Sequence, residues 1–130
     1  MENLVDKAQI AGVGQIAINT HDIERATAFY RDTLGLPHLF TAGPMSFFDA
    51  GGVRLMLAMP DRAEFDHPSS VIYFTVNDAR AAYAELHDKV KFLQEPLVVH
   101  ATETSELWMA FFHDTEGNTL ALMSELPKEA

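Results

Sequence analysis

Apolar and polar side chains alternate over residues 13–20. Ile16 and Ile18 fall on one side and Gln15, Ala17 and Asn19 on the other, the two-residue period of a half-buried strand. The period then lengthens. Ile23, Ala26, Phe29, Tyr30 and Leu34 recur at helical spacing; Thr20 or Asp22 stands where a cap is needed, and Glu24 suits the positive end of the helix. Gly35 supplies a stop and Pro37 prevents continuation. Three further strands are expected at 37–42, 45–49 and 53–59, separated by the turn residues Gly43, Pro44 and then Ala50, Gly51, Gly52.

The same order then recurs. Residues 70–76 read as a strand, Asn77 or Asp78 as a cap, and Ala79, Ala82, Tyr83, Leu86 and Val90 as a helical stripe. A break at 93–96 precedes strands expected at 98–102, 107–113 and 118–124, with a hairpin tip at 102–106 and an end expected to fray at 126–130. Asp22 and Asp78 are offset by 56 residues; Asp49 and Asp114, each leading through a glycine turn into a strand, by 65. The chain therefore reads as one domain over 1–130 made of two strand-helix-strand-strand-strand modules, 13–60 and 70–125. The acidic linker at 60–69 carries Pro60 and Pro68, and is a natural loop over a cleft. Asp49 and Asp114 are expected to accept backbone N–H groups in their turns rather than act as catalytic carboxylates.

Composition narrows the chemistry. With no cysteine there is no disulfide, thiolate nucleophile or Cys-ligated metal, which fits a reducing cytoplasm. A net charge of −10, with no Lys/Arg cluster beyond Lys89 and Lys91, disfavours nucleic acid and anionic membranes as partners. Residues 1–9 carry Glu2 and Asp6 and lack a signal-peptide core, and no apolar run is long enough to span a bilayer.

The segment Val13, Gly14, Gln15, Ile16, Ala17, Ile18, Asn19, followed by Asp22 and by Phe29, Tyr30, Arg31, Asp32, Thr33, Leu34, Gly35, resembles the opening of the vicinal oxygen chelate superfamily. This group includes glyoxalase I, ring-cleaving dioxygenases, and fosfomycin- and bleomycin-resistance proteins. Phe112, His113, Asp114, Thr115, Glu116, Gly117, Asn118, Thr119, Leu120 resembles its closing motif. The resemblance covers about Val13 to Glu125. It implies an α+β fold in which two βαβββ modules form one curled mixed sheet of eight strands around a central cleft, commonly in a homodimer. It also implies a divalent metal held by ligands from both modules. The matching positions hold Gln15, Met56, Val71 and Ala121, a poor set for a hard divalent ion, so no metal or other cofactor is expected.

If the alternation holds, Gln15, Asn19, Arg54 and Met56 meet Val71, Tyr73 and Ala121 in a mostly apolar cavity with a few directional polar groups. Trp108 adds aromatic surface for a planar ligand. Tyr73, His100 and His113 are the candidate acids or bases, each with a structural role as its competing reading, and His67 could reach over the cavity mouth. Three functions follow. The first is a small-molecule binding protein without the family metal. The others are a lyase or isomerase acting on a small oxygenated metabolite, with a divergent metal site through His67, His100 or His113 as a variant, and a structural dimer module.

Overall fold

The computed structural model describes residues 8–128. The reading of residues 1–9 as free of a signal peptide lies, for 1–7, outside the described residues, as does the expected fraying at 129–130. Strands β1 (Gln15–Asn19), β2 (His38–Ala42), β3 (Met45–Ala50) and β4 (Val53–Ala58) form a first sheet in the order β1-β4-β3-β2. Strands β5 (Ile72–Thr75), β6 (Lys91–Phe92), β7 (Leu97–Ala101), β8 (Ser105–His113) and β9 (Thr119–Pro127) form a second, ordered β5-β9-β8-β6, with β7 also on β8. In each sheet the first and last strands pair in parallel and the remaining pairs are antiparallel. This is the connection pattern of a βαβββ module.

Helix α1 (Ile23–Ala28) starts at Asp22, whose carboxylate accepts the Arg25 N–H, and widens into a π-helical turn at Phe29–Thr33. Gly35 ends it at a positive φ of 75°, a conformation costly for a residue with a Cβ. Helix α2 (Ala79–Leu86) starts at Asp78, which accepts from the Arg80 N–H. Asp49 accepts from the Gly52 N–H, and Asp114 from those of Glu116 and Asn118, as their turns demand.

The expected single curled sheet is not what forms. The two modules keep separate mixed sheets, neither closed nor curled, with β1 and β5 as unjoined edges. The reason lies in the core. Ile18, Phe48, Leu55 and Leu57 from the first sheet pack with Phe112, Leu120 and Leu122 from the second, around Ala26, Phe29 and Tyr30 of the first helical segment. One shared hydrophobic cluster thus draws together the helix-bearing faces. An apolar gap of about 550 Å³ separates the β1 and β5 regions, lined by Ile16, Leu55, Ile72 and Phe74 among others. Among the described residues nine strands replace the expected eight, because Lys91 and Phe92 pair with His113 and Phe112 just after the second helix. Leu126 and Pro127, expected to fray, are held on β9 opposite Glu106 and Ser105. Among the described residues no helix is long and apolar enough to cross a membrane.

Polar bonds lock the modules where the core alone would leave them free to slide. Tyr30 donates its hydroxyl to Asp114 Oδ2 at 2.6 Å, and burial, reinforced by that carboxylate's charge, pushes the phenol well above its ordinary range. Arg25 donates Nε and Nη2 to the two oxygens of Glu116 at 2.9 and 3.0 Å, and Thr20 adds a hydroxyl at 2.7 Å. The Glu116 side chain is only 2% exposed. Burial alone would raise its pKa, but the donors from Arg25, Thr115 and Thr20 prevail and hold it at about 2.

A carboxyl lowered from 4.5 to about 2 contributes stability that is present above its unfolded value and is lost as pH falls through the folded one. Glu116→Gln is therefore expected to lower the unfolding free energy near pH 7 by at most about 3 kcal/mol. Urea unfolding of both proteins should show that gap closing as pH falls towards about 2; a constant gap would contradict the assignment.

Candidate functional site

The free face of the first sheet carries the side chains that alternate away from the core. Gln15 lies opposite Arg54, Ala17 opposite Met56 and Asn19 opposite Ala58, while Phe47 and Met45 of β3 continue the face beyond β4. Residues 60–70 fold across one end of it. They and the sheet enclose a cleft of about 510 Å³, lined by Ala17, Asn19, Met45, Met56, Phe65 and His67 among others. Such a volume and such a lining are typical of small-molecule sites.

Residues 60–70 are fastened at three points. Ser69 Oγ accepts the Asn19 N–H at 2.8 Å. Asp66 Oδ1 accepts from Asn19 Nδ2 at 3.1 Å and stands 2.8 Å from His21 Nε2. Asn118, in the β8–β9 turn, donates Nδ2 to the Asn19 carbonyl at 2.9 Å and accepts the Ser69 N–H at 3.3 Å. The His21 bond, then that from Asn19, holds the Asp66 carboxyl below the usual carboxylate range. The same turn that locks the modules thus also anchors this segment.

The four positions that match the superfamily's metal ligands do not converge on one donor set. Gln15 Oε1, the one side-chain oxygen among them, accepts from Arg54 Nε at 2.8 Å, and its Nε2 points at Met56 Sδ at 3.5 Å. A guanidinium on the only oxygen donor opposes a cation there. Met56 lines the cleft, whereas Val71 and Ala121 do not. Val71 is 42% exposed beside the second sheet and Ala121 is fully buried on β9. Among the described residues no three His, Asp or Glu side chains are grouped to hold a metal ion.

The remaining candidates are dispersed. Tyr73 faces out of β5 with its ring edge-on to Phe111 at 5.9 Å, on the face shared with Ala121. His113, on that face, places Nδ1 3.4 Å from Thr119 Oγ1, and His100 is exposed on β7. None of the three lines the cleft under residues 60–70. Trp108 lies on the opposite face of β8, beneath the Arg80 guanidinium at 4.6 Å from its ring. Arg54 lies over the Phe47 ring at 5.0 Å, and Phe47 stacks on Phe40 at 4.4 Å. Asn19, Met56 and His67 are thus brought together, joined by Met45, Phe65 and Ser69, which the alternation pattern did not single out. The acidic, proline-bracketed linker was the signal for the last two.

A sequence model described as the Glyoxalase/Bleomycin resistance protein/Dioxygenase superfamily matches residues 12–122. No curated protein matches in sequence. Many solved structures share the fold. One is a member of that superfamily from Sphaerobacter thermophilus, with a TM-score of 0.72 at 22% identity, covering 88% of this chain and 97% of the other. A glyoxalase/bleomycin resistance protein/dioxygenase from Nocardioides has a TM-score of 0.68 at 18% identity, covering 94% and 88%. A lactoylglutathione lyase from Agrobacterium tumefaciens has a TM-score of 0.62 at 20% identity, covering 88% and 94%.

Asp66→Ala should loosen residues 60–70 without unfolding the chain, since the broken contacts are exposed. Hydrogen exchange at the Asn19 amide is expected to quicken about tenfold while the melting temperature moves by no more than about 3 °C. Unchanged exchange would show that Asp66 does not hold the segment.

Proposed function

The chain belongs to the glyoxalase/bleomycin resistance protein/dioxygenase superfamily, and on that premise we propose that it is a small-molecule binding protein that works without the family's metal. The carrying observation is the cleft of about 510 Å³ between the free face of the first sheet and residues 60–70. Strand backbones hold its floor rigid, and three polar attachments hold its cover. Gln15, Met56, Val71 and Ala121 offer no ligand set for the metal chemistry of the superfamily, so binding rather than metal-assisted turnover is the function these residues support.

A homodimer completes this reading. Val71 and Tyr73, 42% and 46% exposed, stand with the half-buried Met109, Phe111 and Met123 on a face of the second sheet that carries no helix. An apolar surface of this kind favours a protein partner, and we assign it to a second copy. We place the protein in the cytoplasm, where its cysteine-free composition suits reducing conditions.

Two measurements test these statements. A thermal-shift screen of metabolites and natural products should yield ligands of the wild type that Ala17→Trp no longer binds, because an indole on β1 opposite Met56 fills the cleft from its floor. Ligands that bind both proteins equally would place the site elsewhere. Light scattering should give twice the chain mass of 14.5 kDa, falling to the single mass in Tyr73→Glu.

A further inference from the structure

The polar atoms around the cleft under residues 60–70 are mostly acceptors. Asn19 shows this most clearly. Its Nδ2 must be the atom facing Asp66, because a carboxylate has no hydrogen to give, and this turns Oδ1 the other way. Oδ1 is buried and, among the described residues, receives no hydrogen bond. His67 Nδ1 lies 3.0 Å from the Pro68 carbonyl, which can only accept. Nδ1 therefore carries a proton, and in the tautomer that this bond selects Nε2 is an acceptor. Asp61 adds a carboxylate to the lining. Among the described residues of the lining, the hydroxyls of Ser69 and Ser70 are the only side-chain donors besides Asn19 Nδ2 and His67 Nδ1, which are committed to Asp66 and to the Pro68 carbonyl.

Among the described residues no lysine or arginine lines the cleft. Arg62 is paired with Glu64 at 3.2 Å and lies over the Phe65 ring. Arg54, the only arginine or lysine in the four strands of this sheet, lies outside the lining and is turned to Gln15 and Phe47. An anionic ligand would lose its hydration without gaining a cationic partner, beside Asp61 and in the field of a chain of net charge −10. Met45, Met56, Met59 and Phe65 supply a polarizable apolar wall that adapts to ring systems and also attracts cations.

We infer that the cleft selects an apolar, ring-containing molecule that is cationic or neutral, carries an N–H or O–H donor, and is not a carboxylate or a phosphate. The ligand's donor satisfies Asn19 Oδ1 as it enters beneath residues 60–70, and a positive charge on that donor is favoured by Asp61. This inference rests on the binding reading and specifies its ligand class.

Three matched probes test it on the full-length protein near pH 7: naphthylmethylamine, naphthylmethanol and naphthoate, titrated by calorimetry or by fluorescence. The ammonium should bind about tenfold more tightly than the alcohol, and naphthoate should show no binding. Asp61→Asn, at an exposed position, should bring the amine to the level of the alcohol and leave the alcohol unchanged. Naphthoate binding as tightly as the amine, or an amine preference untouched by Asp61→Asn, overturns the inference while leaving the cleft a binding site. Failure of all three probes to bind also overturns it, and the Ala17→Trp library comparison then decides independently whether the cleft binds anything.

Discussion

Two buried carboxylates in one turn organise this molecule. Asp114 and Glu116 belong to the β8–β9 connection, yet their side-chain partners include Tyr30, Arg25 and Thr20, from the opposite module. Buried charge is tolerated only when its lone pairs are filled. Here backbone N–H groups, a phenol, a guanidinium and hydroxyls fill them. The arrangement fixes the position of the first helix and the end of β1 relative to the second sheet. Asn118, four residues on from Asp114, extends the grip to the Asn19 backbone and to Ser69. A single turn therefore sets both the packing of the modules and the placement of the cleft's cover.

The shared core and this joint have a common geometric outcome. Each sheet spends its helix-bearing face on the other module, so its remaining face is available for something else. On the first sheet that face becomes the floor of a cleft. On the second it presents Tyr73 and Phe111 with little above them. The superfamily's quartet of positions is split accordingly, Gln15 and Met56 on one sheet and Val71 and Ala121 with the other. Loss of metal ligands and separation of the sheets point the same way: what is left at the cleft is an acceptor-rich, methionine-lined surface.

Much of this was legible in the chain. Alternation identified which residues of β1, β4, β5 and β9 share a face, because a strand's period is independent of its surroundings. Asp22, Asp78, Gly35 and the Asp49 and Asp114 turns announced their roles through local backbone chemistry. The division into two sheets was not legible, since alternation says which side chains face together but not what covers them. Trp108 is a different case: alternation with Ala110 and Phe112 turns it to the helix face, where Arg80 covers it, and not to the cavity face. The attachments of Asp66 and Ser69 escaped notice for another reason. They join residues 45 to 50 positions apart, a distance over which local pattern carries no information.

The long reach of the joint also bears on how the chain comes to be folded. Tyr30 waits 84 residues for Asp114, Arg25 waits 91 for Glu116, and the Asn19 carbonyl waits 99 for Asn118. During synthesis the first module can pair its strands as they emerge, because β1 to β4 close on one another locally. Its core face and its capping residues nevertheless stay unpartnered until nearly the whole chain has been made. Closing so large a loop costs entropy before any contact repays it. The contacts that join the two sheets are thus the ones that carry the largest loop-closure cost in this fold.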